Sequence, residues 1–149
     1  MSVIEEKYTL SNGVEIPKLG LGTWFIDDDK AAQAVRDAVK IGYRNIDTAQ
    51  AYGNERGVGE GIRTADIPRE DLFVSTKLAA EIKNYDDAVK SIDGSLETMG
   101  LDYVDLMLIH SPQPWDDFRG GDYSEGNRQA WRALEEAYQA GKIRAIGVS

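Results

Sequence analysis

Cysteine is absent from this chain of 149 residues, and histidine occurs only once. The absence of cysteine excludes a disulfide framework, a cysteine-ligated zinc site and a thiolate nucleophile. A single histidine likewise excludes a metal site built from several imidazoles. We therefore expect no metal centre.

Basic residues are outnumbered, with 17 Lys and Arg against 26 Asp and Glu, which gives a net charge of -9. This balance opposes a general nucleic-acid interface, which needs a basic face, although it allows a local basic pocket. No stretch approaches the roughly 18 to 20 apolar residues that span a bilayer, and Met1–Lys7 lacks a basic region followed by an apolar one. We expect a cytoplasmic protein without nucleic-acid or membrane partners, whose ligand is a small molecule.

What the chain does contain is typical of one globular domain, with 42% hydrophobic and 29% charged residues. The pair Asn12-Gly13 predicts an N-terminal β-hairpin with a type I′ turn, in which both central residues have positive φ. After the hairpin, apolar runs alternate four times with segments of helical periodicity, and a fifth apolar run follows. The predicted strands cover residues 19–24, 43–47, 72–77, 104–110 and 144–149, and the helices cover 27–42, 54–65, 84–100 and a segment before 141.

Some of these predictions name particular faces and ends. The first strand is predicted to be buried, and Asn84 with Asp87 forms a pattern typical of a helix N-terminal cap. The fourth helix is predicted to present Trp131, Leu134 and Tyr138 on one face.

Strands that alternate with helices predict an α/β fold with a parallel sheet covered by helices. Asp47, Lys77 and His110 each stand at the end of a different predicted strand, spaced by roughly the 31 residues per unit of an eight-unit barrel of about 250 residues. In such (β/α)₈ barrels the catalytic residues converge at the C-terminal ends of the strands. This placement favours a barrel over an open sheet.

These three residues and Tyr52 form a candidate catalytic group. Taken singly, a lysine at a strand end can extend to solvent, and a lone histidine is more often a hydrogen-bonded structural residue. Together they form a proton-donating device: an ordinary tyrosine with a pKa near 10 is a poor acid at neutral pH, and a Lys77 cation would stabilise its phenolate. Asp47 would pair with Lys77, and neutral His110 would direct a substrate carbonyl.

Three glycines in the second helix, Gly57, Gly59 and Gly61, admit two interpretations. A dinucleotide-binding loop is one, but the G-x-G-x-x-G spacing is missing and no strand directly precedes them. Close packing against neighbouring helices is the favoured interpretation.

Five segments of this chain, in their order and spacing, resemble the aldo-keto reductase family. The resemblance covers essentially the whole chain and is strongest to small bacterial members that act on dicarbonyls and sugar-derived ketones. The segments are Gly22-Thr23-Trp24, residues 45–55, Ser75-Thr76-Lys77, Leu108-Ile109-His110-Ser111-Pro112 and Ile146-Gly147-Val148-Ser149.

The resemblance implies a (β/α)₈ TIM barrel reductase that uses NADPH/NADP⁺ on a small carbonyl substrate, without metal or flavin. At matching positions, Tyr52 protonates the carbonyl oxygen, Lys77 makes it a better acid, Asp47 pairs with Lys77 and His110 orients the substrate. The remaining matched positions are aromatic walls of the substrate pocket at Trp24 and Trp115, and cofactor contacts at Gly22, Thr23, Asp47 and Ser149.

The length departs from this family, whose members are roughly twice as long. Residues 1–149 are expected to be the N-terminal portion of a single barrel domain, comprising the hairpin, four βα units and a fifth strand. That strand would then be an open edge, covered by the rest of a longer protein or by self-association. Two other functions stay open: Schiff-base lyase or aldolase chemistry on Lys77, and a non-catalytic half-barrel for assembly or binding.

Overall fold

The computed structural model describes residues 2–149, whose regular elements follow the predicted order. The strands are β1 (Lys7–Thr9), β2 (Glu15–Pro17), β3 (Leu21–Gly22), β4 (Asn45–Asp47), β5 (Phe73–Leu78), β6 (Val104–Ile109) and β7 (Ile143–Val148). The α-helices are α1 (Asp28–Ile41), α2 (Glu55–Thr64), α3 (Tyr85–Met99) and α4 (Ser124–Gln139). The prediction of a hairpin, four βα units and a fifth strand is confirmed.

Two sheets organise the chain. Strands β1 and β2 pair antiparallel as the hairpin, and β3 to β7 form a parallel sheet in sequence order. Each parallel strand is thus hydrogen-bonded to the next one along the chain, with one helix in every crossover. This topology brings the C-terminal ends of all five strands to one side of the molecule. None of the helices within residues 2–149 is long and apolar enough to cross a membrane.

The hairpin turn differs from the predicted type I′ geometry. Gly13 has a φ of 87°, but Asn12 does not have a positive φ. The Gly13 N–H donates to the Leu10 carbonyl at 2.9 Å, so the loop has three residues and ends on a glycine in the left-handed region. Asn12 instead uses its side chain, which accepts from the Val14 N–H and donates to the Arg144 carbonyl of β7.

The first parallel strand is shorter and more exposed than predicted. Only Leu21 and Gly22 pair with β4, and Gly22 is exposed. As the outermost strand, β3 has one neighbour, and the chain leaves it at once in a turn that starts at Thr23. The prediction of a buried strand over 19–24 is therefore wrong.

The glycines of α2 are packing residues, as favoured from the sequence. A Cβ on Gly57 would lie 2.1 Å from the Asp28 carbonyl oxygen, and one on Gly61 would lie 2.6 Å from the Val35 Cβ, both in α1. A Cβ on Gly59 would lie 2.2 Å from the Met99 carbonyl oxygen of α3. Side chains at these positions would push α2 away from both neighbouring helices.

The remaining helix predictions concern α3 and α4. The cap of α3 is confirmed, because the Asn84 side chain accepts from the Asp87 N–H at 2.8 Å. In α4, Leu134 is fully buried, but Tyr138 is 37% exposed. Besides Leu134, the buried residues of this helix are alanines, which allow a close approach to the sheet: Ala130, Ala133 and Ala137.

Candidate active site

The predicted catalytic residues meet at the C-terminal ends of three adjacent strands. Asp47 is the last residue of β4, Lys77 lies near the end of β5 and His110 follows β6 directly. The register aligns Asp47 with Ser75. Lys77 follows Ser75 by two residues, so its side chain projects from the same face of β5 as that of Ser75. Tyr52 ends the short 3₁₀ turn Gln50–Tyr52 that follows β4. We call this region the mouth of the sheet.

A close ion pair lies at the base of the mouth. Lys77 Nζ donates to both carboxylate oxygens of Asp47 at 2.8 Å and to the Thr48 carbonyl at 2.9 Å. The Ser75 hydroxyl also donates to Asp47 Oδ1, at 2.6 Å. The Lys77 side chain is only 10% exposed, so its charge depends on these partners. All three ammonium N–H groups are used.

Tyr52 lies over this cation and beside the histidine. Lys77 Nζ is 5.1 Å from the centroid of the Tyr52 ring. The rings of Tyr52 and His110 meet edge to face, with centroids 5.9 Å apart. The structure therefore brings together the four residues that the sequence singled out.

The surroundings of His110 favour its neutral form. Burial lowers the pKa of His110 below its ordinary value of 6.5, and the Lys77 cation lowers it further. The carboxylates of Asp47 and Glu81 oppose this shift but are smaller causes. Within residues 2–149, the buried His110 Nδ1 has no hydrogen-bond partner. A neutral imidazole can present one N–H donor to a carbonyl oxygen.

Aromatic rings form a continuous row across the mouth. The predicted wall residue Trp24 lies 6.5 Å from Tyr52, and the predicted Trp115 meets His110 edge to face at 5.3 Å. The row is longer than predicted: Phe25 stacks on Trp24 at 4.4 Å, and Phe118 lies 6.4 Å from Trp115. The only sequence signals for these two rings were that Phe25 directly follows Trp24 and that Phe118 lies in the loop after His110.

The residues predicted to contact a cofactor border the same mouth. Gly22 pairs with Asp47 in the sheet, and a Cβ at Gly22 would meet open space. Thr23 is fully buried, and its N–H and hydroxyl both donate to the Asp47 carbonyl. Ser149 donates its hydroxyl to the His110 carbonyl at 2.6 Å. Their role in cofactor binding stays a prediction.

Glu55 is a buried acid that the sequence interpretation did not single out. Its carboxyl group accepts from the Thr76 hydroxyl at 2.7 Å and the Ser95 hydroxyl at 3.2 Å, which joins α2 to β5 and α3. Burial raises the pKa of Glu55 above its ordinary value of 4.5, although the two hydrogen bonds oppose that shift. The Thr76 side chain that Glu55 binds points away from the mouth, so this acid braces the strand that carries Lys77.

Comparison with known proteins identifies the family. The aldo/keto reductase family model matches residues 18–149. The oxidoreductase YtbE of Bacillus subtilis (strain 168), itself uncharacterized, is 46% identical over 98% of this chain and 50% of that protein. A glyoxal reductase of the same strain is 42% identical, again over 98% of this chain and 50% of that protein.

Solved structures agree with these matches. An aldo/keto reductase from Brucella melitensis superimposes with a TM-score of 0.87 at 42% identity, over 99% of this chain and 53% of that one. A Bombyx mori aldo-keto reductase in complex with NADP gives a TM-score of 0.82 at 39% identity, over 96% of this chain and 50% of that one. The chain thus spans about half the length of the relatives it matches, and its sheet is the corresponding part of a (β/α)₈ barrel. It belongs to the aldo/keto reductase family.

Proposed function

We propose that the protein containing this chain reduces aldehydes or ketones to alcohols with NADPH, and that Tyr52 is the general acid. The observation that carries the proposal is the position of the Asp47–Lys77 ion pair beneath Tyr52, beside His110 in an aromatic mouth. Within the proposal, residues 1–149 are the N-terminal portion of one barrel domain. A cytoplasmic location stays a prediction.

Each residue has one task in this reaction. The Tyr52 hydroxyl donates its proton to the carbonyl oxygen as that oxygen gains negative charge. The Lys77 cation, 5.1 Å from the ring, stabilises the phenolate that remains, and Asp47 holds Lys77 in place. His110, kept neutral by burial and by Lys77, donates a hydrogen bond that orients the carbonyl.

The residues of the mouth fit the nicotinamide end of the cofactor. Open space above Gly22 allows a flat ring to approach the backbone, and the exposed Ser149 is a polar residue at the rim. Bound there, NADPH would supply a hydride to the carbonyl carbon while Tyr52 supplies the proton to the oxygen. The Lys77 cation is committed to Asp47, so we expect other residues to bind the cofactor's phosphates.

The substrate class follows from the aromatic row. Rings on both sides of Tyr52 and His110 would enclose an apolar or planar group next to the carbonyl. The related protein named glyoxal reductase adds small dicarbonyls as candidates.

Schiff-base chemistry on Lys77 is less consistent with the site. A nucleophilic amine must be neutral and accessible, whereas this ammonium donates to three oxygen atoms and is 10% exposed. A non-catalytic role would leave the close arrangement of the four polar residues without a function. We therefore favour the reductase.

The decisive experiment replaces Tyr52 by phenylalanine in the full-length protein that carries these residues. Tyr52→Phe keeps the ring and removes the proton, so kcat for carbonyl reduction should fall by roughly 10²- to 10⁴-fold while the NADPH Kd stays within about twofold. Stopped-flow NADPH fluorescence with a deuterated cofactor tests whether hydride transfer limits the rate. Tyr138→Phe, at another partly exposed tyrosine, is the matched control. A Tyr52→Phe protein that retains more than a third of wild-type kcat would exclude Tyr52 as the acid.

A further inference from the structure

A strained turn carries two rings of the aromatic row. Residues Thr23–Ile26 form a β-turn in which the Ile26 N–H donates to the Thr23 carbonyl at 3.0 Å. Its central residues, Trp24 and Phe25, are 66% and 85% exposed. Phe25 has a φ of 66°, in the left-handed region that a bulky residue rarely adopts. A type II turn needs positive φ at this position and usually places glycine there, so the turn requires support from its surroundings.

The side chain of Asn54 supplies that support. Asn54 is fully buried, and its Nδ2 donates to the Thr23 carbonyl at 2.8 Å and the Ile26 carbonyl at 3.0 Å. These two carbonyls belong to the first and last residues of the turn. The Thr48 hydroxyl donates to Asn54 Oδ1 at 2.7 Å, which fixes the amide with its nitrogen toward the turn.

The same amide connects the turn to the catalytic residues. Thr48 directly follows Asp47, and Asn54 comes two residues after Tyr52, at the N-terminal cap of α2. One buried side chain therefore joins the segment that carries Trp24 and Phe25 to the segment that carries Asp47 and Tyr52. The Trp24 and Tyr52 rings, carried by these two segments, lie 6.5 Å apart.

We propose that Asn54 is a positioning residue, whose amide clamps the Thr23–Ile26 turn and thereby sets the affinity for bulky aromatic carbonyl substrates. This inference rests on the reductase function proposed above. Asn54 touches no reacting atom, and it acts through the placement of Trp24 and Phe25. Small aldehydes, which need only the catalytic residues, should depend on it little.

The clamp itself is tested without any turnover. In Asn54→Asp, Oδ1 can still accept from the Thr48 hydroxyl. The amide nitrogen that donates to the two turn carbonyls is replaced by a carboxylate oxygen, which cannot donate. Asn54→Ser keeps a helix-capping residue type and also loses both bonds. Hydrogen exchange of the Ile26 amide, followed by NMR on the full-length protein, should be at least about tenfold faster in both variants because the two hydrogen bonds from Asn54 to the turn are lost. Asn45→Ser is the matched control, since Asn45 on β4 donates to the Pro17 carbonyl away from this turn.

The specificity role is tested by steady-state kinetics of the full-length protein with 4-nitrobenzaldehyde and with glyoxal. In Asn54→Ser, KM for the aromatic aldehyde should rise about tenfold, while kcat and KM for glyoxal change less than about threefold. Asn45→Ser should change neither. A merely structural residue would lower the active fraction and reduce kcat for both substrates equally.

The outcomes separate the two proposals. Unchanged Ile26 exchange in a folded variant, or unfolding of both variants by circular dichroism, would overturn the positioning role. Faster exchange with an unchanged preference between the two aldehydes would overturn the link to specificity. A wild-type protein with slow Ile26 exchange but no NADPH oxidation would instead overturn the reductase function, while the clamp would stand.

Discussion

At the scale of single residues, one buried cation determines the electrostatics of the mouth. Lys77 neutralises Asp47, lies beneath the Tyr52 ring and lowers the pKa of the neighbouring imidazole. These effects are coupled, because removing the cation also leaves a carboxylate without its partner. A variant at this position should therefore change the titration of His110 as well as the reaction.

We expect Lys77→Met to raise the pKa of His110. The substitution removes a cation that disfavours imidazolium and exposes His110 to the unpaired Asp47 carboxylate, which favours it. His110 is the only histidine of the chain, so its imidazole signal can be followed by NMR from pH 4 to 8 without ambiguity. Lys142→Met, which removes an exposed cation paired with Asp93, should leave the titration unchanged. An unchanged or lower pKa in Lys77→Met would contradict the proposed electrostatics.

The same substitution has a consequence for stability. Because the pKa of folded His110 lies below its ordinary value of 6.5, the unfolded chain binds more protons in that range. The contribution of His110 to stability is therefore lost as the pH falls from about 6.5 through the folded-state pKa. This acid-induced loss should be smaller in Lys77→Met, in which the folded-state pKa is higher.

The positions of the candidate catalytic residues could be predicted from the sequence, but their supports could not. Asp47, Lys77 and His110 each follow an apolar strand, and parallel strands align their ends. Asn54 donates to Ile26 and Thr23, which precede it by 28 and 31 positions. These contacts depend on how two loops pack. The positive φ of Phe25 could not be predicted from the sequence either, because turns of this geometry prefer glycine over a bulky residue at that position.

At the scale of secondary structure elements, the long strands were predicted better than the short first strand of the parallel sheet. Strands β5 and β6 each have six residues, lie between two neighbours and match the predicted bounds within one residue. Strand β3 has only two residues, because the chain turns away from β4 at Thr23 before the apolar run ends. In α4, the predicted face of Trp131, Leu134 and Tyr138 lies beside buried alanines, which allow the closest approach to the sheet.

Helix packing leads to a prediction with an internal control. Gly59→Ala should destabilise the fold by about 1 to 3 kcal/mol, because the added Cβ would lie 2.2 Å from the Met99 carbonyl oxygen and force α2 and α3 apart. Gly94→Ala in α3 should instead stabilise it by about 0.5 to 1 kcal/mol, since its Cβ would meet nothing within 4 Å. Urea denaturation followed by circular dichroism measures both. A Gly59→Ala chain as stable as the wild type would show that the helices adjust freely.

At the scale of the whole molecule, the parallel sheet has two open edges, at β3 and β7. The hairpin protects part of β7, where the Asn12 side chain donates to the Arg144 carbonyl. Further along β7, Val148 is 67% exposed. An apolar groove runs beside this edge, lined by residues of β6, β7 and α4: Leu106, Leu108, Ile146, Trp131 and Tyr138.

An exposed strand edge next to an apolar groove should drive self-association of the 149-residue polypeptide. By light scattering coupled to size exclusion, we expect a mass that exceeds the 16.5 kDa of one chain and rises with concentration. Val148→Lys should shift the equilibrium toward monomer, because a charge on an edge strand opposes pairing with a second strand. Val3→Lys, at a valine that is 61% exposed but lies outside both sheets, should not. A 16.5 kDa particle at every concentration up to about 100 μM would mean that the hairpin and α4 protect the edge sufficiently.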